Sequence, residues 1–209
     1  MRTPRVVTVE LDPVNAVVAK TFLLMAGLSA DVEVWPGGSA GVADELLARF
    51  GPGSVAMLFM DHRGSLFHED LRSFEDAGLL ADGAAVVADN VLKPGAPQFL
   101  WLASRSRSLE ARFLQVPEFG LGHQALEDWM AVCRFRARAG GALGPEATEA
   151  CPAAVVRLAR RCDEMRRLTL VRRGGVGMAE WAAHSAETKA ALQALGIGAD
   201  VPDLPLMPG

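Results

Sequence analysis

The 209-residue sequence contains no tyrosine, and only 6% of its residues are aromatic. Any mechanism that needs a tyrosine phenolate as a base is therefore excluded. Cysteine is scarce as well, with Cys133, Cys151 and Cys162 as the three examples. They are odd in number and lack the short spacing of a metal-binding motif, so we expect reduced thiols in a cytoplasmic setting.

The sequence also lacks a strong charge imbalance and a long apolar run. A formal net charge of -4 gives no electrostatic reason to expect nucleic acid or a membrane surface as a partner. No apolar stretch reaches the length of a membrane span, and the N-terminus has no signal-peptide core. Half of the residues are apolar, which suffices for the core of one α/β domain with an appendage.

The most informative stretch has the order strand, helix, strand. Residues 55–60 and 84–88 form short apolar runs typical of buried parallel strands. Between them, residues 66–80 carry apolar side chains at helical spacing. A right-handed crossover would place the two strands side by side, with their carboxyl ends at one edge of the sheet.

Polar side chains follow both of these strands directly. Asp61 ends the first run, and Asp89 and Asn90 end the second. Polar residues often end strands simply because the chain turns there, but this edge is also where open α/β sheets bind ligands. The paired acids and the amide favour a site for a divalent cation such as Mg²⁺, which prefers hard oxygen ligands.

Two strings at these strand ends resemble a known family. Asp61-His62, and ADNVLKPGAP at residues 88–97, are similar to the catechol O-methyltransferases, and the match extends from Arg5 to about Phe119. The resemblance implies a Rossmann-like methyltransferase sheet with helices on both faces. It also implies Mg²⁺-dependent methylation of one catechol hydroxyl by S-adenosylmethionine.

The resemblance also assigns roles to individual residues. The metal ligands would be Asp61, Asp89 and Asn90. The cofactor would be contacted by Glu10 at its ribose, and by Ser39 and His62 at its adenine. The substrate would contact Asn90, and Pro94 would pack against its ring. Glu118 would accept a hydrogen bond from the second hydroxyl. Under a shifted alignment, Glu127 would take that role instead.

The sequence departs from the family pattern in ways that bear on activity. The family's lysine base is replaced by Arg63, which cannot accept a proton at neutral pH but would stabilise a catecholate. An adenine-contacting amide is replaced by Ala40, and no first strand with a glycine-rich loop precedes Glu10. We therefore expect weak cofactor binding and impaired activity, with a non-catalytic binding module or an incomplete gene product as the alternative.

The resemblance ends near Arg136. We predict a partial methyltransferase domain over residues 1–136, a linker over 137–152, and a helical extension with a mobile tail over 153–209. Seven arginines within 153–173 favour a solvated helical face. The alternative is a surface on which an anionic partner docks. Residues 167–172 either continue that helix, which propensity favours, or form a strand in the vacant central position of the sheet. Lys93 is interpreted as an exposed loop residue.

Overall fold

A computed structural model describes residues 5–118, 126–137 and 150–201. The chain divides into two compact units, Met1–Phe50 and Gly51–Gly209, which are described separately below. The predicted mixed α/β architecture is confirmed. Within the described ranges, no helix is both long and apolar enough to cross a membrane.

The first unit contains two strands and two helices in alternation. In chain order they are β1 (Val6–Glu10), α1 (Pro13–Met25), β2 (Val32–Pro36) and α2 (Val42–Phe50). The strands β1 and β2 pair in parallel. Helix α1 begins where the sequence predicts, because the Asp12 carboxylate accepts a 2.8 Å hydrogen bond from the backbone N–H of Val14.

The second unit begins with the predicted strand, helix, strand. Its first elements are β3 (Val55–Met60), α3 (Phe67–Asp76), β4 (Leu80–Ala88), an irregular turn (Val91–Gly95) and α4 (Pro97–Arg105). The helix is shorter than predicted and β4 is longer. Gly78, with φ of 64°, turns the chain after α3, so that Leu80 already belongs to the strand.

Two further strands complete the sheet of the second unit, β5 (Leu109–Glu118) and β6 (Leu126–Phe135). The strand order is β3-β4-β6-β5. β3 and β4 are parallel, as predicted, whereas β6 runs antiparallel to both of its neighbours. The buried side chains of Trp129, Ala131 and Cys133 alternate along β6, which confirms this segment as a strand.

The C-terminal part of the second unit is helical, with α5 (Ala153–Val171) and α6 (Met178–Gln193). Residues 167–172 therefore do not form the proposed central strand, and the hypothesis of an inserted strand is wrong. Leucine and arginine are good helix formers, and Thr169 satisfies its hydroxyl on the carbonyl of Met165, one turn earlier.

The predicted linker and tail are only partly described. Residues 138–149 and 202–209 lie outside the described ranges. Before the tail leaves those ranges, Asp200 bonds to β5, since its N–H donates to Phe113 and its carbonyl accepts from Gln115, each at 2.8 Å. The domain boundary at residue 136 stays a prediction, because the compact units separate after Phe50 instead.

Candidate active site

Parallel pairing of β3 with β4 brings their acidic ends to one cleft. Met60 and Ala88 are register partners, so Asp61 and Asp89 follow at the same edge of the sheet. A backbone hydrogen bond of 3.0 Å from Asp89 N–H to the Met60 carbonyl fixes this edge. The cleft has a volume of about 250 Å³ and is lined by Asp61, His62, Gly64, Phe67, Asp89, Asn90, Pro94 and Arg166.

The two carboxylates influence each other electrostatically. Loss of water around Asp61 raises the pKa of its carboxyl, and the negative charge of Asp89 raises it further, while His62 opposes both effects. A cation placed between the carboxylates would relieve this repulsion. The electrostatics of the cleft thus favour a positively charged ligand at this edge.

Asp128 on β6 orients the amide of Asn90. Its Oδ2 accepts a 2.9 Å hydrogen bond from Asn90 Nδ2, and its Oδ1 accepts from the N–H groups of Leu92, Lys93 and Trp129 at 3.2, 2.9 and 2.7 Å. A carboxylate only accepts, so it takes the nitrogen side of the amide. The oxygen of Asn90 is thereby kept free of Asp128 and available to a ligand. Asn90 itself adopts the left-handed region, with φ of 54°.

His62 is held at one wall of the cleft. Its Nε2 lies 2.6 Å from the Asp70 carboxylate on α3, and its ring meets the edge of Phe67 with 4.9 Å between centroids. Phe67 is fully buried and gives the cleft an apolar floor. The neighbouring Gly64 permits a close approach, because a Cβ there would lie 2.6 Å from the Gly95 carbonyl oxygen.

The C-terminal helices support the loop formed by residues 90–95. His184 on α6 places Nε2 at 2.8 Å from the Pro94 carbonyl oxygen, so this nitrogen carries the proton and donates. On α5, Cys162 packs so tightly on the loop that a Cβ at Gly95 would lie 2.7 Å from its Sγ. Helices α5 and α6 therefore hold this loop in place by direct contact.

The prediction that Lys93 is an exposed loop residue is wrong. Lys93 is buried in the structure, with 8% of its surface accessible. Its ammonium lies over the Trp181 ring of α6, 5.2 Å from the centroid. Burial lowers the pKa of Lys93, although the charge of Asp128 acts in the opposite direction. The α6 helix, which local sequence around Lys93 does not reveal, explains this difference.

Arg63, assigned above to catecholate stabilisation, is paired with the α5 helix. Its guanidinium donates to both Asp163 carboxylate oxygens, at 3.2 and 2.6 Å, and this pairing raises the pKa of Arg63. Arg63 does not line the cleft. Arg166, which follows Asp163 by one turn on α5, does line it. The catalytic role of Arg63 stays a prediction.

The remaining predicted site residues belong to other elements. Glu10 and Ser39 belong to the first unit, where the Glu10 carboxylate accepts a 2.8 Å hydrogen bond from Asp12 N–H. Glu118 closes β5. The alternative anchor Glu127 is engaged by Lys189, whose ammonium lies 2.7 and 2.8 Å from its two carboxylate oxygens.

Sequence reasoning missed Asp128, Arg166 and His184. Arg166 and His184 lie beyond the stretch that resembles a known family, and the contacts of all three residues join positions distant along the chain. One signal was present for Asp128, a charged residue directly before the apolar run at residues 129–133 of its strand, since carboxylates are rarely buried without a partner. Nothing local distinguished Arg166 from the six other arginines around it.

The fit of a metal ion rests on three oxygen-bearing side chains. Across residues 5–118, 126–137 and 150–201, no cluster of three or more His, Cys, Asp or Glu side chains is arranged to hold a metal. Asp61, Asp89 and Asn90 instead offer two carboxylates and one amide in the same cleft. Such a partial set suits Mg²⁺, which keeps several waters and uses one or two carboxylates.

The chain is similar to known proteins over part of its length. No family model matches the chain. The chain is 38% identical over 96 residues to "Catechol O-methyltransferase" of Sus scrofa, covering 46% of this chain and 52% of the relative. It is 34% identical over 129 residues to "Transmembrane O-methyltransferase" of Homo sapiens, covering 61% and 42% respectively. The chain thus spans about half the length of these curated relatives.

The fold has known counterparts as well. The crystal structure of an O-methyltransferase from Bacillus cereus in complex with SAH matches with a TM-score of 0.54 at 19% identity, over 63% of each chain. At this identity the likeness concerns the fold. Over about half its length the chain is therefore similar in sequence to the catechol O-methyltransferases, and its fold is that of the Rossmann-like O-methyltransferases.

Proposed function

We propose that this chain is an S-adenosylmethionine-dependent O-methyltransferase that acts on a catechol with the help of Mg²⁺. The observation that carries the proposal is the cleft at the ends of β3 and β4. There Asp61, Asp89 and the oriented amide of Asn90 lie together, in a sequence similar to catechol O-methyltransferases.

Each group in the cleft has a defined task in this proposal. Asp61, Asp89 and Asn90 hold the cation through their side-chain oxygens. When bound, Mg²⁺ supplies positive charge that lowers the pKa of a catechol hydroxyl. Pro94 and Phe67 form apolar walls for the aromatic ring. The hydroxyl proton would pass to water, and the oxygen would then form a bond to the methyl carbon as the carbon–sulfur bond of S-adenosylmethionine breaks, which would leave S-adenosylhomocysteine.

The remaining assigned residues complete the proposed site. Glu10, Ser39 and His62 are proposed to contact the ribose and adenine of S-adenosylmethionine, and Glu118 to accept a hydrogen bond from the second hydroxyl. Ala40 stands where the family has an adenine-contacting amide, so we expect weak cofactor binding. Arg63 cannot remove a proton at neutral pH, and we expect slow turnover for that reason.

A non-catalytic role is the second candidate function. It is favoured by the pairing of Arg63 with Asp163, at the position where the family has its lysine base. In this case the cleft would bind a cation or a small aromatic ligand without methyl transfer. The two candidates differ in whether a methylated product forms.

A methyl-transfer assay with a catechol, run with and without Mg²⁺, tests the proposal. Mg²⁺-dependent formation of a methylated catechol supports the enzyme. Asp89→Ala should lose both Mg²⁺ binding and turnover, which would locate the activity in this cleft. Asp76→Ala is the control and should retain both, since Asp76 is an exposed acid at the end of α3. Binding of Mg²⁺ without any product would favour the non-catalytic candidate.

Metal binding can be measured independently of turnover. At a Mg²⁺ concentration about 100 times its Kd, binding stabilises the folded state by about 2.7 kcal/mol. For a chain of this size the melting temperature should rise by about 5–10 °C. Asp89→Ala should remove this rise, and Asp76→Ala should keep it.

A further inference from the structure

Arg166 is a cationic side chain in a cleft otherwise lined by acidic, amide, imidazole and apolar groups. It lies on α5 in the C-terminal extension and is half-buried. The stretch that resembles catechol O-methyltransferases ends before α5. Any contribution of Arg166 to ligand choice would therefore be particular to this chain.

The neighbours of Arg166 on α5 leave its hydrogen-bond donors available. Asp163, one turn earlier, receives both hydrogen bonds of Arg63 and interacts with Arg166 only through the attraction between their charges. Glu164 pairs with Arg161 at 3.5 Å. Among the residues that the structure describes, no side chain forms a hydrogen bond or an ion pair with the guanidinium of Arg166.

Arg166 is also not the counter-charge of the two carboxylates across the cleft. Within the described part of the chain, neither Asp61 nor Asp89 comes within ion-pair distance of it. In the proposed function, a divalent cation balances those two carboxylates and the ionised catechol oxygen balances the sulfonium of S-adenosylmethionine, so Arg166 leaves the site with one excess positive charge. A ligand with one negative charge would complement it.

We infer that Arg166 selects a catechol that carries an anionic substituent, such as a carboxylate, over an uncharged catechol. This inference rests on the proposed function for the cation and the catechol hydroxyls. A guanidinium suits the task, because its planar fork donates two parallel hydrogen bonds to a carboxylate. The cleft volume of about 250 Å³ lies near the lower end of known ligand pockets, which favours a compact substrate.

A matched pair of ligands tests the inference by binding alone. The first is a catechol with an acetate side chain, and the second is the same catechol with the acetamide, which has nearly the same shape without the charge. Calorimetry in the presence of Mg²⁺ should give a Kd about tenfold lower for the acid, the effect of one charge-assisted hydrogen bond in a half-exposed cleft.

The variants assign this preference to one residue. Arg166→Gln should bring the two Kd values together, Arg166→Lys should retain part of the preference, and Arg167→Gln should keep it, since Arg167 is exposed on the same helix. Equal affinities in the wild type, or a preference that survives in Arg166→Gln, would overturn the inference.

The same measurements separate this inference from the proposed function. If both ligands bind and are methylated equally well, the methyltransferase proposal stands and the role of Arg166 is rejected. If the acid binds through Arg166 but no methylated product forms, the anion preference stands and the catalytic proposal fails. If neither ligand binds, both are rejected.

Discussion

The side-chain amide of Asn90 donates a hydrogen bond of 2.9 Å to the Asp128 carboxylate, across 38 positions of the chain. Asp128 is 4% exposed and accepts three backbone N–H bonds as well. One buried carboxylate thus fixes both the 90–95 loop and the direction of the amide oxygen. We infer that Asp128 positions the proposed metal ligand without contacting the metal.

Replacing Asp128 by Asn should therefore loosen the loop and weaken cation binding together. The new amide would keep one neutral oxygen, a weaker acceptor for the loop N–H groups, and would present N–H groups towards Asn90, at a cost of about 1.5–3 kcal/mol in the free energy of unfolding. Chemical denaturation and Mg²⁺ titration measure the two effects. Glu110→Gln, at an exposed pair with Arg136, is the control and should change neither. Unchanged Mg²⁺ affinity in Asp128→Asn would contradict the positioning role.

Gly95→Ala should destabilise the contact between the loop and α5. The backbone at Gly95 has φ of +112°, and an added Cβ would lie 2.7 Å from Cys162 Sγ. Overpacking of this kind costs about 1–3 kcal/mol, which denaturation would detect. Adding Cys162→Ala should recover part of the loss by removing the clash. Gly198→Ala is the control, since no atom lies within 4 Å of a Cβ there.

Stability should fall as the pH drops below about 6.5, the ordinary pKa of histidine. Burial lowers the pKa of His184 and of His68 in the folded chain. The unfolded chain then binds protons more readily than the folded chain. The free energy of unfolding therefore decreases as the pH falls from about 6.5 towards the lower pKa of the folded state. His184→Gln, whose amide can still donate to Pro94, should flatten part of this decline in melts between pH 7 and pH 5. An unaltered profile would show that His184 does not contribute.

Arg63→Lys should increase methyl transfer if the family's lysine base is what this chain lacks. Asp163 would keep the new ammonium protonated, so Arg63→Lys with Asp163→Asn should be faster than Arg63→Lys alone. A working general base contributes about 10²–10⁴-fold, and at least a tenfold gain in kcat is expected for the double variant. A pH profile should show a new ionisation. Equal rates for both variants and the wild type would contradict this account.

The central strands and their polar ends were predictable because their signals are local. Apolar runs that stop at Asp61 and Asp89 predict parallel strands, and right-handed crossover then places both acids at one edge. The Asp12 cap of α1 was similarly encoded within a few residues. The ADNVLKPGAP string added the comparison with a family. Pro94 lines the cleft, and its contact with a substrate ring stays a prediction.

By itself, then, the sequence determined the α/β alternation and the position of the acidic strand ends, and it predicted a helix from residue 153 while leaving residues 167–172 open between helix and strand. Tertiary structure decided the rest of the cleft. It buried Lys93 under Trp181, aimed Asn90 through Asp128, and placed Arg166 rather than Arg63 at the cleft wall. The physical reason is that these contacts join residues tens of positions apart, and only the packing of β6, α5 and α6 against the loop determines which ones meet.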